Sequence, residues 1–193
     1  MATTDDRRER IFEAAKRRFG RFGIRATTMQ DIARDVGIAV GTIYQFFPDK
    51  DALVSAWVGE HRDLVKDQMA QVLAKPVPAD EKLRDFLCVR FQTVRRMREE
   101  PAIMEITRAV LRLMPDEIPT MTAAIRDYLA RILTEGRDTG ALPSVRPDRD
   151  VEILFLALSG FFTAVTDPIA GPLTEEAMLR VVDWFIEQWK RPQ

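Results

Sequence analysis

Residues 28–47 read TMQDIARDVGIAVGTIYQFF, and this stretch decides the fold. Met29, Ile32, Ala33 and Val36 recur at the spacing of one helical face, which predicts a short amphipathic helix. Thr28 followed three positions on by Asp31 is a variant of the capping box: the hydroxyl can accept from an orphan N–H, and the carboxylate sits at the positive helix end. Gly37 stops that helix and permits a sharp turn. A second short helix is predicted from about Val40 to Phe47, with Ile43 and Phe47 inward, and Pro48 closes it because the residue before proline resists helical geometry. Ile38 is an apolar plug that can pack between both helices. Two such helices meeting at Gly37-Ile38-Ala39 have the grammar of a helix-turn-helix, whose second helix lies in a DNA major groove with its N-terminal residues near the base edges. Pairs of short helices around a glycine turn also occur in proteins with no DNA role.

Working outward, Ile11, Ala14, Ala15, Phe19 and Phe22 share a helical face, and Gly23 is a left-handed C-cap. On the other side Asp49 or Asp51 caps a long helix from about Ala52 to Leu73, and Lys75-Pro76-Val77-Pro78 breaks it. Further helices are predicted at about 80–99, 101–114, 119–138, 148–166 and 174–190, punctuated by Pro101, Pro115, Pro119, Gly140, Pro143, Pro147 and the run from Pro168 to Pro172. No strand alternation and no internal repeat is found. The expected fold is all-α, about nine helices, the first three short.

Composition sets the bounds. The 193 residues are 46% hydrophobic and 31% charged, which excludes a disordered chain and leaves room for a substantial core. One Cys cannot make an intramolecular disulfide, and one His cannot build a two-His metal site, so no metal and no cofactor is expected. No apolar run reaches the ~18 residues of a membrane span, and the charged N-terminus lacks the apolar core of a signal peptide. A soluble, cytoplasmic protein with no membrane partner is expected. Residues 1–50 hold ten Lys/Arg against seven Asp/Glu, whereas the remainder holds 19 against 23, so a basic head sits on an acidic body.

From Arg10 to Leu53 the chain resembles the TetR family of bacterial transcription regulators. The residues that carry the resemblance are Ile11, Ala14, Ala15, Phe19, Phe22-Gly23, Thr27-Thr28, Ile32-Ala33, Val36-Gly37, Gly41-Thr42-Ile43-Tyr44, Phe47, Lys50 and Leu53. The resemblance implies a DNA-binding domain at 1–48 and a ligand-binding and dimerisation domain at 49–193. It implies that Thr28 caps its helix and touches phosphate, that Gly41 and Thr42 begin the recognition helix close to DNA, and that Tyr44 and Lys50 contact the backbone. Val40 and Gln45 occupy positions that face bases; Gln45 has the donor and acceptor an adenine edge needs, and Val40 suits a thymine methyl. Two positions depart from the family: Ala39 stands where a Ser usually caps the recognition helix, and Phe46 where a His is common. Tyr44 as a packed aromatic and Lys50 as a surface charge are the alternatives. Arg7, Arg8, Arg10, Arg17, Arg18, Arg21 and Arg25 either extend the basic surface or form a solvated face.

The larger region shows no catalytic constellation, and the chain is not expected to be an enzyme. His61 between Glu60 and Arg62 reads as surface or pocket lining, and Cys88 as a buried small hydrophobe. A ligand cavity is implied by the resemblance; its candidate lining is Trp57, His61, Phe86, Phe91, Met104, Arg108, Met121 and Tyr128, with ordinary core packing as the alternative. Glu105, Arg108 and Arg112 share one helix face, so they can orient a ligand or form an ion-pair ladder. The helix at 148–166 is apolar almost all round, which implies burial on several sides. Leu154, Ala157, Leu158, Gly160, Phe161, Val165, Val182, Phe185 and Trp189 are the expected dimer interface, with an internal core helix as the alternative. The expected function is a homodimeric repressor on double-stranded, pseudo-palindromic operator DNA, released by an unknown small-molecule effector. A ligand-independent regulator, an activator and a helical scaffold are the alternatives.

Overall fold

In a computed structural model the structure describes residues 4–99, 103–162 and 173–191, the side chains of 103 and 104 excepted. The described residues form nine α-helices and a 3-10 turn: α1 (Thr4–Phe22), α2 (Met29–Val36), α3 (Val40–Tyr44), α4 (Lys50–Ala74), α5 (Ala79–Glu99), α6 (Ile103–Leu113), α7 (Glu117–Asp138), α8 (Pro147–Leu158), the 3-10 turn Ser159–Phe162, and α9 (Glu175–Lys190). The fold is all-α, as its periodicity predicts.

The boundaries follow local chemistry. Gly23 (φ 85°) ends α1, its N–H donating to the Phe19 carbonyl at 3.0 Å. Asp49, not Asp51, caps α4, accepting from the Ala52 N–H at 2.7 Å. Pro147 occupies the first turn of α8, where a missing N–H costs nothing, and the buried Asp150 carboxylate accepts from the Arg146 N–H at 2.8 Å. The helix expected over 148–166 stops at Leu158 and tightens into the 3-10 turn, with Ser159 Oγ donating to the Leu156 carbonyl at 2.9 Å. Val165 lies outside the described residues.

The chain packs as two compact units. The first comprises Met1–Leu64 and Glu99–Ile118, the second Val65–Arg98 and Pro119–Gln193. The first unit is built on fully buried Ile11, Phe19, Ile32, Ile43, Phe47 and Leu53, and α6 adds Ala109 to this core. This unit of packing is larger than the segment 1–48 expected to touch DNA. The second unit is built on Leu83, Phe86, Leu87, Leu129, Ile132, Leu133, Leu154, Met178 and Val182, drawn from α5 and α7 to α9. No helix among the described residues is long and apolar enough to cross a membrane.

Candidate DNA-binding interface

Short helices are marginal in water, so α2 and α3 depend on what anchors them. The capping box at the start of α2 is complete. Thr28 Oγ1 accepts from the Asp31 N–H at 3.1 Å, while the Asp31 carboxylate accepts from the Thr28 N–H at 3.2 Å and its hydroxyl at 2.6 Å. These bonds from Thr28, with Arg18 and Arg34 nearby, hold the Asp31 carboxyl below its ordinary value. At the other end Gly37 (φ 73°) turns the chain, and Ile38 N–H returns to the Ala33 carbonyl at 3.1 Å. Two α1 arginines then grip α2. Arg18 forks onto Asp35 at 2.6 and 2.9 Å, and Arg10 donates to the Val36 carbonyl at 3.2 Å, against the helix's negative end. Both had been candidates for a basic surface; Arg18 is half-buried and paired with Asp35, whereas Arg10 stays exposed.

Lys50 has a similar post. Its ammonium donates to the carbonyls of Ile24 (2.7 Å) and Thr27 (2.9 Å), pinning the α1–α2 turn to the start of α4. Two further tethers come from residues expected either to orient a ligand or to form a ladder on one helix. Glu105 accepts from the Arg25 N–H at 2.9 Å, and Arg112 forks onto Asp51 at 2.9 Å on both arms, lowering that carboxyl's pKa. Arg112 thus pairs with α4 and Glu105 with the α1–α2 turn, rather than with a neighbour on α6. Arg108 is exposed.

On this scaffold sits α3, five residues long where eight are expected. Ala39 offers no side-chain cap; its carbonyl accepts from the Thr42 N–H at 2.9 Å. Val40, Thr42 and Ile43 are β-branched and Gly41 is a poor helix former, so after Tyr44 the chain continues as turns, Phe46 and Phe47 N–H both returning to the Ile43 carbonyl at 2.9 Å. Ile43 is fully buried and anchors the helix. Gly41, Tyr44 and Gln45 are exposed, as is Thr28; Val40, Thr42 and Lys50 are half-buried. Tyr44 is 51% exposed and so is not a core aromatic, whereas Phe46 packs partly on the head core. Gly41 has no positive φ, and a Cβ added there meets no atom within 4 Å. The fold itself therefore does not require glycine at this position.

The expected cavity residues are divided. Trp57, stacked on Phe19 at 5.9 Å, and His61 and Arg108 belong to the first unit; Phe86, Phe91, Met121 and Tyr128 belong to the second, where Phe86 and Tyr128 rings lie 6.0 Å apart. The Met104 side chain lies outside the described residues. Cys88 is half-buried, and burial, with Glu175 beside it, pushes its thiol up to about 11, so at neutral pH it is a thiol rather than a reactive thiolate. Among the described residues no cluster of three or more His, Cys, Asp or Glu is placed to hold a metal.

The expected interface residues are divided as well. Leu154, Leu158, Phe161, Val182 and Trp189 are buried within the single chain, Phe185 is half-buried, and Ala157 and Gly160 are exposed. The same two helices leave large apolar side chains uncovered at Ile153 and Leu156 on α8 and Trp184 on α9, with exposures of 42%, 62% and 57%. These three were not among the expected interface residues; because every residue of α8 from Ile153 to Leu158 is apolar, the pattern of that run does not say which side faces in.

Residues 11–57 match the family model described as bacterial regulatory proteins, tetR family. Over 151 residues the chain is 28% identical to the HTH-type transcriptional repressor KstR2 of Mycolicibacterium smegmatis, covering 77% of this chain and 72% of that protein. It is 25% identical to the HTH-type transcriptional regulator YhgD of Bacillus subtilis over 94% of this chain and 95% of that one. A TetR/AcrR-family regulator from Thermobifida fusca has a similar structure, with a TM-score of 0.73 at 23% identity, covering 96% of this chain and 100% of the other.

Proposed function

Residues 11–57 make this chain a member of the tetR family of bacterial regulatory proteins, and from that premise we propose that it is a homodimeric repressor whose hold on a pseudo-palindromic operator is relaxed by a small molecule. That it is a DNA-binding transcriptional regulator, and not an enzyme, follows from its relatives. The observation that carries the finer reading is α3: a helix with Gly41, Tyr44 and Gln45 turned outward, mounted on a head braced by Arg18 on Asp35 and Lys50 on the Ile24 carbonyl. In this reading 1–48 binds DNA and 49–193 binds ligand and partner. Gln45 and Val40 read bases, Gly41 and Thr42 allow close approach, and Thr28, Tyr44 and the remaining proton of Lys50 meet phosphates.

Two recognition helices must reach successive major grooves about 34–36 Å apart, which requires two protomers. The uncovered Ile153, Leu156, Ala157, Gly160 and Trp184 supply an apolar surface for a second copy, and a two-fold interface would bury each of them twice. Selection of bound duplexes from random DNA tests the whole reading. The expected product is an inverted repeat with half-sites one helical turn apart, bound by a dimer in sedimentation. Leu156→Glu should yield a monomer with residual, non-specific binding at low salt. Recovery of a single, non-repeated site, or a fully dimeric Leu156→Glu, would overturn it.

A further inference from the structure

Arg90 of α5 interrupts an apolar stripe made by Leu83, Phe86, Leu87, Phe91 and Val94, and it is buried with them. Among the described residues its guanidinium has no ion pair, its Nε has no hydrogen-bond partner, and the Phe162 ring lies with its centroid 5.9 Å away. Burial lowers its pKa to about 10, which still leaves it charged at neutral pH. A buried charge without a counterion is destabilising, and proteins keep one where something arrives to neutralise it.

Arg90 lines a narrow cleft within the second unit, between the C-terminal half of α4 and α5, walled by Val65, Met69, Val72 and Phe86. Of its other polar groups, Gln68 is neutral and the Thr93 hydroxyl already donates to the Val89 carbonyl at 2.9 Å. The unfilled space, counting the open mouth, is about 220 Å3. No part of it is wide enough to hold a water, so any occupant is small and the two helices ease apart to admit it. Met69 is the wall residue best able to give way.

We propose that this cleft binds a small amphipathic carboxylate, its apolar body against Val65, Met69, Val72 and Phe86 and its head group forked by the Arg90 guanidinium. One cation lines the cleft among the described residues, which matches a monoanion rather than a doubly charged phosphate. The inference deepens the effector reading and rests on it for its regulatory meaning: α4, one wall of the cleft, is the helix that begins at Lys50 in the first unit.

Calorimetric titration of the full chain with octanoate, 1-octanol and octylammonium, at neutral pH and below micellar concentration, tests it. Octanoate should bind at least tenfold tighter than octanol, and octylammonium more weakly than either. Arg90→Met should erase the preference for octanoate over octanol and, without ligand, should melt above the parent protein. Arg90→Lys, which keeps the charge and loses the fork, should retain part of the preference. Equal binding of octanoate and octanol, no octanoate binding, or an undiminished preference in Arg90→Met would overturn the carboxylate site. Release of selected operator DNA by octanoate is measured separately. Arg90-dependent binding that leaves DNA bound would uphold the site and sink the effector reading instead.

Discussion

Replacing Gly41 with Ala should move stability and DNA affinity in opposite directions. Gly41 is exposed on α3, and a Cβ there finds no atom within 4 Å and no left-handed φ to oppose it. Glycine in a helix is less favourable than alanine by about 0.5–1 kcal/mol, because it loses more backbone freedom on folding. The variant should therefore gain about that much, which at a urea m-value of ~2 kcal/mol/M raises the midpoint by about 0.3–0.5 M. If Gly41 lies against DNA as proposed, the same methyl enters the closest approach between α3 and the groove. Overpacking of that kind costs about 1–3 kcal/mol, and a two-fold complex suffers it at both half-sites, so operator affinity should fall by at least ~30-fold. Urea unfolding of the free protein and fluorescence anisotropy with a selected operator give the two numbers on one preparation. A variant that is less stable would show that the head itself needs this glycine. One that binds operator normally would show that Gly41 does not face DNA.

Lys50→Met removes the donor to the Ile24 and Thr27 carbonyls. It should cost about 1.5–3 kcal/mol in urea unfolding and, if Lys50 meets a phosphate as proposed, lower the slope of log affinity against log salt by about 0.9; unchanged unfolding would show that the latch adds nothing in water. Gly136→Ala places a Cβ on α7 only 2.7 Å from Leu142 Cδ1 and 3.1 Å from Ala79 Cβ, so it should destabilise by about 1–3 kcal/mol, part of which Leu142→Val restores. Asp80 is buried, which alone would raise its carboxyl, but the Lys190 ammonium at 2.6 Å, with Arg84, holds it below the ordinary value. Its contribution to stability is therefore present above the unfolded value of ~3.9 and lost as pH falls through the lower folded one. In Lys190→Met burial prevails and the sign reverses: the parent protein should gain more stability than the variant between pH 4 and 7, and equal gains would show that the pair does not couple to folding.

What the sequence made legible was chemistry confined to neighbouring residues. Thr28 with Asp31 is a capping box by spacing alone, Gly23 and Gly37 stand where only left-handed caps fit, and Ala39 announces its missing hydroxyl by being alanine. What stayed hidden depends on residues far apart in the chain. Nothing near Lys50 says that its ammonium will meet the Ile24 and Thr27 carbonyls, and nothing near Arg18 points to Asp35. On α8 the pattern failed for a different reason. From Ile153 to Leu158 every residue is apolar, so within that run nothing orients the helix and inward Leu154 and outward Leu156 look alike. Arg90 did leave a trace: it is the charged position within a stripe that is otherwise Leu83, Phe86, Leu87, Phe91 and Val94, and that interruption is visible before any coordinates are.

The bare start of α3 has a consequence in time as well as in energy. A single turn held by the Ile43 side chain, with no hydroxyl on Ala39 to fasten its first amides, opens and closes without disturbing the core beneath it. The amides of Gly41 to Gln45 should trade their hydrogens for deuterium well before those of Phe19 or Ile32. A half-site that seats the helix would slow them, so the exchange clock of a few peptide groups can report occupancy of the groove without any label on the DNA.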